Sequence, residues 1–465
     1  MSMTQALPQQ RELVRDARVD TAKAGDTLPI PVIAYVIAVL IPIMVQVGPL
    51  NLSPLRLMLI IYTPFCLSIL LSGRRGKLAA TDVFFFLHVF WMAVAFAVVM
   101  PSRLIENIGS AALEFLGGYL IARVYITSSA QLVALIRLVG LVLLILLPFA
   151  IYEALTTRPI ILDILSKVPT FSTVGNVLME SRMGLDRVQA VFPHPILFGL
   201  FSSLSFTFIL IGLKGQISGL KRFVLLVVSG LCVFLSLSSG ALLAVMIQIA
   251  LIAWNRIFAF TQRRWLILCG LLVAMYIVVD LLSNRTPIEV FMSYATFSPW
   301  NAYWRATIFE WGMVNVWGSP IFGIALKDWV RPWWMWSSSV DNFWLVMAMR
   351  YGLPGLALVF AGFVAALIRI ARAKITNDPL RQQLRLAAMI TFAGLTFTLS
   401  TVHVWANIYS FVFFLLGAVM WIADDPGPKD TAPVPSEDPQ APSSRYTRFP
   451  AKHRRVENLS SEART

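Results

Sequence analysis

Between Pro332 and Gly355 the chain reads PWWMWSSSVDNFWLVMAMRYGLPG, which sets an acid-amide pair, a lone arginine and crowded tryptophans at the mouth of an apolar run. Asp341 can orient or deprotonate a hydroxyl, or serve as the N-cap of the helix that follows. Asn342 stands beside it as a second polar group. Arg350 lies nine residues past Asp341, roughly 13 Å deeper along a helix. An unpaired charge there costs about 2.5–3.5 kcal/mol or more, so Arg350 requires a wet cavity or a partner. Gly352, Pro354 and Gly355 break the helix. The segment 341–351 then dips from the outer surface with Asp341, Asn342 and Arg350 on one wall of a cavity.

Eight of the fourteen tryptophans fall between positions 300 and 336. Trp304, Ile308, Trp311 and Asn315 recur at helical spacing, which predicts an amphipathic helix lying along a membrane surface. Two readings stand for the tryptophans. One is an interfacial aromatic belt; the other is a platform on which Trp304, Trp311, Trp333, Trp334 and Trp336 stack against the C–H faces of sugars. His194, between Pro193 and Pro195, either caps a helix or touches substrate. Arginine clamps anions bidentately, and Arg103, Arg158, Arg182, Arg187, Arg285, Arg305 and Arg331 are each either such a clamp or a solvated loop charge.

The elements that must hold these residues are membrane helices. Hydrophobic residues make up 58% of the 465 positions and charged ones 13%, with a mean hydropathy of +0.74, against a soluble norm of roughly 45–50% apolar and about 25% charged. The expected fold is all-α and polytopic, with about twelve spans near 29–47, 55–72, 81–100, 104–122, 132–152, 191–213, 223–237, 240–254, 265–282, 344–368, 386–402 and 407–423. The SLSSG stretch at 236–240 is either a hairpin between two spans or a kink in one. With the N-terminus inside, cytoplasmic segments carry 26 of the 38 Lys and Arg residues and outside loops nine, as the positive-inside rule requires. The net charge of +14 therefore follows from topology and anionic lipid, with no nucleic-acid partner. Residues 1–28 and 424–465 read as disordered cytoplasmic tails, and 29–423 as the helical domain with outside loops 153–190 and 283–340. No signal peptide, metal cluster, cofactor motif or phosphate loop is read. Cys66, Cys232 and Cys269 are expected in the core, and Glu114 is expected to pair with Arg137.

Four segments, RVQAVFPHPILFGL (187–200), LSLSSGALLAV (235–245), YWRATIFEWGMVNVWGSPIFGIAL (303–326) and VDNFWLVMAMRYGLPGLALVF (340–360), together resemble, in order and spacing, the O-antigen ligase and polymerase superfamily of bacterial envelope glycosyltransferases. The resemblance covers roughly residues 185–370. It implies a GT-C-like architecture in the bacterial inner membrane with both termini cytoplasmic. The implied reaction transfers glycan from an undecaprenyl-diphosphate donor to a sugar hydroxyl on the periplasmic face, without a cofactor. Arg182, Arg187, His194, Arg305 and Arg350 would bind substrate or diphosphate, and Asp341 and Asn342 would serve catalysis. Implied partners are the lipid-linked oligosaccharide, membrane lipid, a chain-length regulator and export machinery.

There are two departures. Ser239 stands where the family usually carries arginine, and Asp341 where it frequently carries histidine. The Asp-Asn pair with YGLPG resembles the exopolysaccharide-production branch, which favours a polymerase over a ligase. A transporter or flippase of a lipid-linked or small anionic solute is the competing class; the absence of an internal repeat argues against it. A structural subunit of an assembly complex is a third reading.

Overall fold

The computed structural model describes residues 27–424 apart from 49, 75–76, 170–171, 178, 180, 285–286, 288–289 and 291–298. The two predicted tails lie almost wholly outside the described residues, as does Arg285. Among the described residues, eight helices are long and apolar enough to cross a bilayer: Pro54–Leu71, Ala80–Val99, Ser129–Thr156, Pro195–Gly212, Ser239–Ile257, Arg264–Leu282, Phe343–Ala371 and Ala406–Ala423. The chain is thus an all-α membrane protein. The other four predicted runs hold helices that are short (Ile30–Leu40, Gly219–Leu235), divided by a π-turn at Leu113–Gly117 (Leu104–Tyr125), or polar at one end (Pro379–Leu399, with Arg381 and Arg385).

Local chemistry sets the helix boundaries. Ser53, Ser128, Ser238, Asn342 and Asp378 each accept a backbone N–H from the first turn that follows, the preferred N-cap arrangement. The SLSSG stretch separates two helices, because Leu237 takes a left-handed φ of 45° and Ser238 caps the next helix. The first apolar run is not one long helix as expected. After Leu40 come Ile41 and Pro42, and the alternating Ile43–Val47 pairs with Leu50–Leu52 across a turn at Gly48 and with Ser172–Thr173. Proline forbids helix continuation, and β-branched alternation suits a strand.

Two further expectations are corrected. Glu114 pairs with Arg56 at 2.8 Å, while Arg137 donates to the carbonyl of Gln216 at 2.5 Å. Arg56 takes Glu114 because its helix packs directly on the π-turn that carries the carboxylate. Cys66 and Cys232 are buried, but Cys269 is exposed on Arg264–Leu282, a helix with no buried residue. With mean hydropathy 2.5, that helix suits a lipid surroundings better than a packed core.

The helix Phe343–Ala371 is broken at Gly352, where φ is 70° and ψ 177°. Pro354 has no N–H for the Arg350 carbonyl, and Leu353 donates its N–H to Pro320 at 2.8 Å. The two freed carbonyls are satisfied by another segment. Ile324 N–H donates to Met349 at 2.7 Å, and Ala325 N–H to Arg350 at 3.2 Å. A buried backbone group left unpaired costs about as much as a lost hydrogen bond. The 320–325 segment therefore fixes the break, and it joins two of the four segments quoted above.

Candidate functional site

The loop that carries Arg182, Arg187 and His194 is tied down by a residue the sequence reading passed over. Glu153, buried near the end of Ser129–Thr156, accepts the N–H groups of Gln189 at 2.7 Å and Ala190 at 3.0 Å. Val188 donates to the carbonyl of Leu235 at 3.1 Å, and the Gln189 amide bonds to Gly175 and Phe192 at 3.1 and 3.2 Å. The signal for Glu153 was a carboxylate at the end of an apolar span. We expect Glu153→Gln to weaken anion binding beside Arg187 about tenfold and to lower the melting temperature, since a carboxyl group that accepts two N–H groups becomes an amide with one acceptor and one clash. Thermal shift and titration with inorganic diphosphate check both effects.

On the facing side, Leu237 presents its carbonyl to Arg182 Nη1 at 2.8 Å, and Ser239 Oγ accepts Arg305 Nη2 at 3.3 Å. Gly199 lets the helix Pro195–Thr207 press against Ser236 and Ala241, where a Cβ would collide with both. His194 is the N-cap of that helix, its Nδ1 accepting the Ile196 N–H at 3.1 Å. This fixes the neutral tautomer with the proton on Nε2.

These groups meet in a cavity of about 270 Å³ lined by Arg182, Arg187, His194, Trp304, Arg305 and Asp341, with Met179, Ile196, Ser238, Ser239, Ile308 and Ser339. Three guanidinium groups face one carboxylate, a formal excess of two positive charges. Arg187 is 9% exposed with its Nε buried and unpartnered, and Arg305 Nη1 is likewise buried without a partner. Burial and the nearby Arg182 lower the Arg187 pKa to about 10, with Asp341 acting in the opposite direction. Arg305 is lowered by burial, Asp341 again opposing and Arg182 adding to the shift. Both arginines stay charged at neutral pH.

Burial, then the charge of Arg187, lower the His194 pKa to about 4. The ring is neutral from pH 5 upward, so it contributes no titration near its ordinary value of 6.5. As pH falls from 6.5 towards 4 the unfolded chain takes up a proton that the folded chain does not, so this group lowers stability over that window. Anion binding in the cavity is expected to show no limb near pH 6.5 from His194. A limb there that vanishes in His194→Gln, read from the pH dependence of diphosphate binding, contradicts this assignment.

A second cavity of about 410 Å³ adjoins the first, sharing Ser339 and Asp341, and is lined by Ile324–Trp329, Ser338, Val340, Val346, Met349, Arg350, His403 and Trp405. Arg350 thus lies apart from the other three arginines. Asn342 is engaged as the helix N-cap, its Oδ1 accepting the Leu345 N–H at 3.0 Å, so the cap is Asn342 and not Asp341. Asp341 instead accepts the Ser339 hydroxyl at 3.2 Å.

Of the predicted stacking residues, Trp304 lines the first cavity and meets Trp334 edge-on at 5.7 Å. Trp311 packs with Ile308 in a small core with Val316, Trp329, Met335 and Leu345. The apolar stripe of Pro299–Gly318 is therefore covered by the helix after Asn342, where a membrane surface was expected. Asn315 at its end bonds both the N–H and the carbonyl of Val330 at 2.8 Å. Trp333 and Trp336 are 94% and 86% exposed and line neither cavity. Ser239, His403 and Trp405 also line the two cavities, though no motif in the sequence marks them as site residues. Compared with known proteins, the chain matches no family model and no curated protein.

Proposed function

We propose that the protein is a glycan polymerase of the bacterial inner membrane that uses an undecaprenyl-diphosphate-linked donor. The reading keeps the twelve-span topology, with both termini cytoplasmic and the two cavities at the periplasmic side. The observation that carries it is the arginine cavity: Arg187 and Arg305 hold buried N–H donors without partners, and a formal excess of two positive charges lines the wall. A diester of diphosphoric acid carries two negative charges and many acceptor oxygens, so it matches that excess. Each charge-assisted bond contributes about 1.5–3 kcal/mol. Arginines can neutralise the departing group without a metal ion.

In the reaction, the acceptor hydroxyl oxygen bonds to the anomeric carbon of the donor sugar as that carbon's bond to the diphosphate oxygen breaks. The electron pair leaves with undecaprenyl diphosphate, which Arg182, Arg187 and Arg305 hold. The hydroxyl proton passes to Asp341 and then to water. Trp304 offers an aromatic face at the rim. A chain-length regulator and export machinery would act downstream of the product.

The test uses purified protein in proteoliposomes with a short undecaprenyl-diphosphate oligosaccharide. A ladder of longer lipid-linked glycans supports a polymerase. Transfer onto a separate lipid acceptor makes it a ligase, and passage of donor across the bilayer without new linkages makes it a transporter.

A further inference from the structure

Arg350 is the charged group that the reaction above does not use. It lines the larger cavity, on the final turn before the break at Gly352. Among the described residues it forms no ion pair with a carboxylate. Of the two acids in that wall, Asp328 is paired with Arg331 at 2.5 Å, and Asp341 faces the arginine cavity as well. Lys327, the remaining cation, is exposed. Arg350 is half-buried and hydrogen-bonds to the hydroxyl of Tyr351, a neutral group that leaves its charge without an opposite one, and a charge inside a membrane protein requires a counter-charge or water.

The surroundings of Arg350 combine an indole, an imidazole and hydroxyl groups. His403 and Trp405 stack on each other at 5.9 Å with 22° between their planes, and both line the cavity. Burial, then the charge of Arg350, lower the His403 pKa to about 3, so the ring is a neutral hydrogen-bonding group, and its buried Nδ1 has no partner. Ser338 and Ser339 add hydroxyls. An indole face, a neutral imidazole and hydroxyls suit a pyranose. At about 410 Å³ the cavity falls within the roughly 300–1,000 Å³ common for small-ligand sites. Asp341 stands between the two cavities, so a hydroxyl of a sugar in the larger one can reach it.

We infer that the larger cavity binds the acceptor end of the glycan and selects an acceptor sugar that bears a carboxylate, held by the planar fork of Arg350. One arginine matches one carboxylate bidentately, whereas the neighbouring cavity gathers three arginines. The inference rests on the polymerase reading for the word acceptor, but the binding itself does not require turnover.

The test is equilibrium binding to purified protein in nanodiscs, without lipid-linked donor, using methyl β-D-glucuronide and methyl β-D-glucoside as probes. The glucuronide is expected to bind about tenfold more tightly or better. Arg350→Gln should bring the two probes within about twofold, Arg350→Lys should keep a smaller preference, and Lys167→Gln, at an exposed position outside both cavities, should leave it intact. The inference is overturned by equal or undetectable binding in the wild type, by a preference that survives Arg350→Gln, or by one that disappears in Lys167→Gln. Should Arg350→Gln not fold, an undiminished preference in Arg350→Lys overturns it instead. Selective binding in a protein that makes no polymer keeps this site and removes the polymerase reading. Polymer synthesis without selectivity does the reverse.

Discussion

Asp341→Asn is expected to reduce chain growth about 10²–10⁴-fold, the usual contribution of a positioned acid or base, while donor binding holds or tightens. The substitution is nearly isosteric. It leaves the helix start intact, because Asn342 provides the cap through its bond to the Leu345 N–H. It also removes the carboxylate that opposes the burial of Arg187 and Arg305, so the cavity becomes more positive and an anion is held at least as well. The contrasting substitution is Asn342→Ala. That change removes a cap and costs about 1 kcal/mol of stability, a loss seen in thermal melting and not in turnover per folded molecule. Measuring turnover and donor affinity on both variants separates the two roles, and wild-type chain growth in Asp341→Asn at normal expression removes Asp341 from the chemistry.

Gly352→Ala carries the second large effect, on the fold of the site. At φ 70° and ψ 177° the backbone lies where L-residues rarely go, a strain of about 1–3 kcal/mol. The added Cβ would also fall on the carbonyl of Ile321, a backbone group that cannot swing aside; overpacking adds about 1–3 kcal/mol. Together they amount to about 2–6 kcal/mol. The loss falls on the docking of 320–325 against Met349, Arg350 and Leu353, and so on the wall of the larger cavity. Gly109→Ala is the control, because its Cβ would meet nothing within 4 Å. A melting temperature in Gly352→Ala equal to that of the control would mean the break does not need its glycine.

The sequence announced the break at Gly352 because glycine and proline change what the backbone itself can do. Arg182, Arg187, His194, Arg305, Trp304 and Asp341, which meet in one cavity, stood out through the family resemblance of the segments that carry or flank them, while position alone left each arginine open between an anion clamp and a solvated loop charge. Rotation and partnering were not legible. Whether Arg350 faces Arg187 or His403 depends on how a broken helix turns, and the one-residue difference between Asp341 and Asn342 as cap depends on where the backbone leaves its extended conformation. Trp311 had helical spacing, which describes a buried face whether protein or membrane covers it. The strand pairing of 43–47 needed a partner at 172–173, more than a hundred residues away, and no local pattern reports such a pairing. Glu153 was hidden for the same reason, since its two donors come from another segment.

The most direct measurement follows release of undecaprenyl diphosphate and glycan length together, in purified protein given a short lipid-linked oligosaccharide with EDTA present and no nucleotide. The account predicts one lipid diphosphate released for each new linkage, with release lost together with chain growth in Arg305→Gln. Chain growth that stops with EDTA and returns with a divalent cation, or that proceeds at the wild-type rate in Arg305→Gln, would contradict the assignment of the arginine cavity to the departing diphosphate.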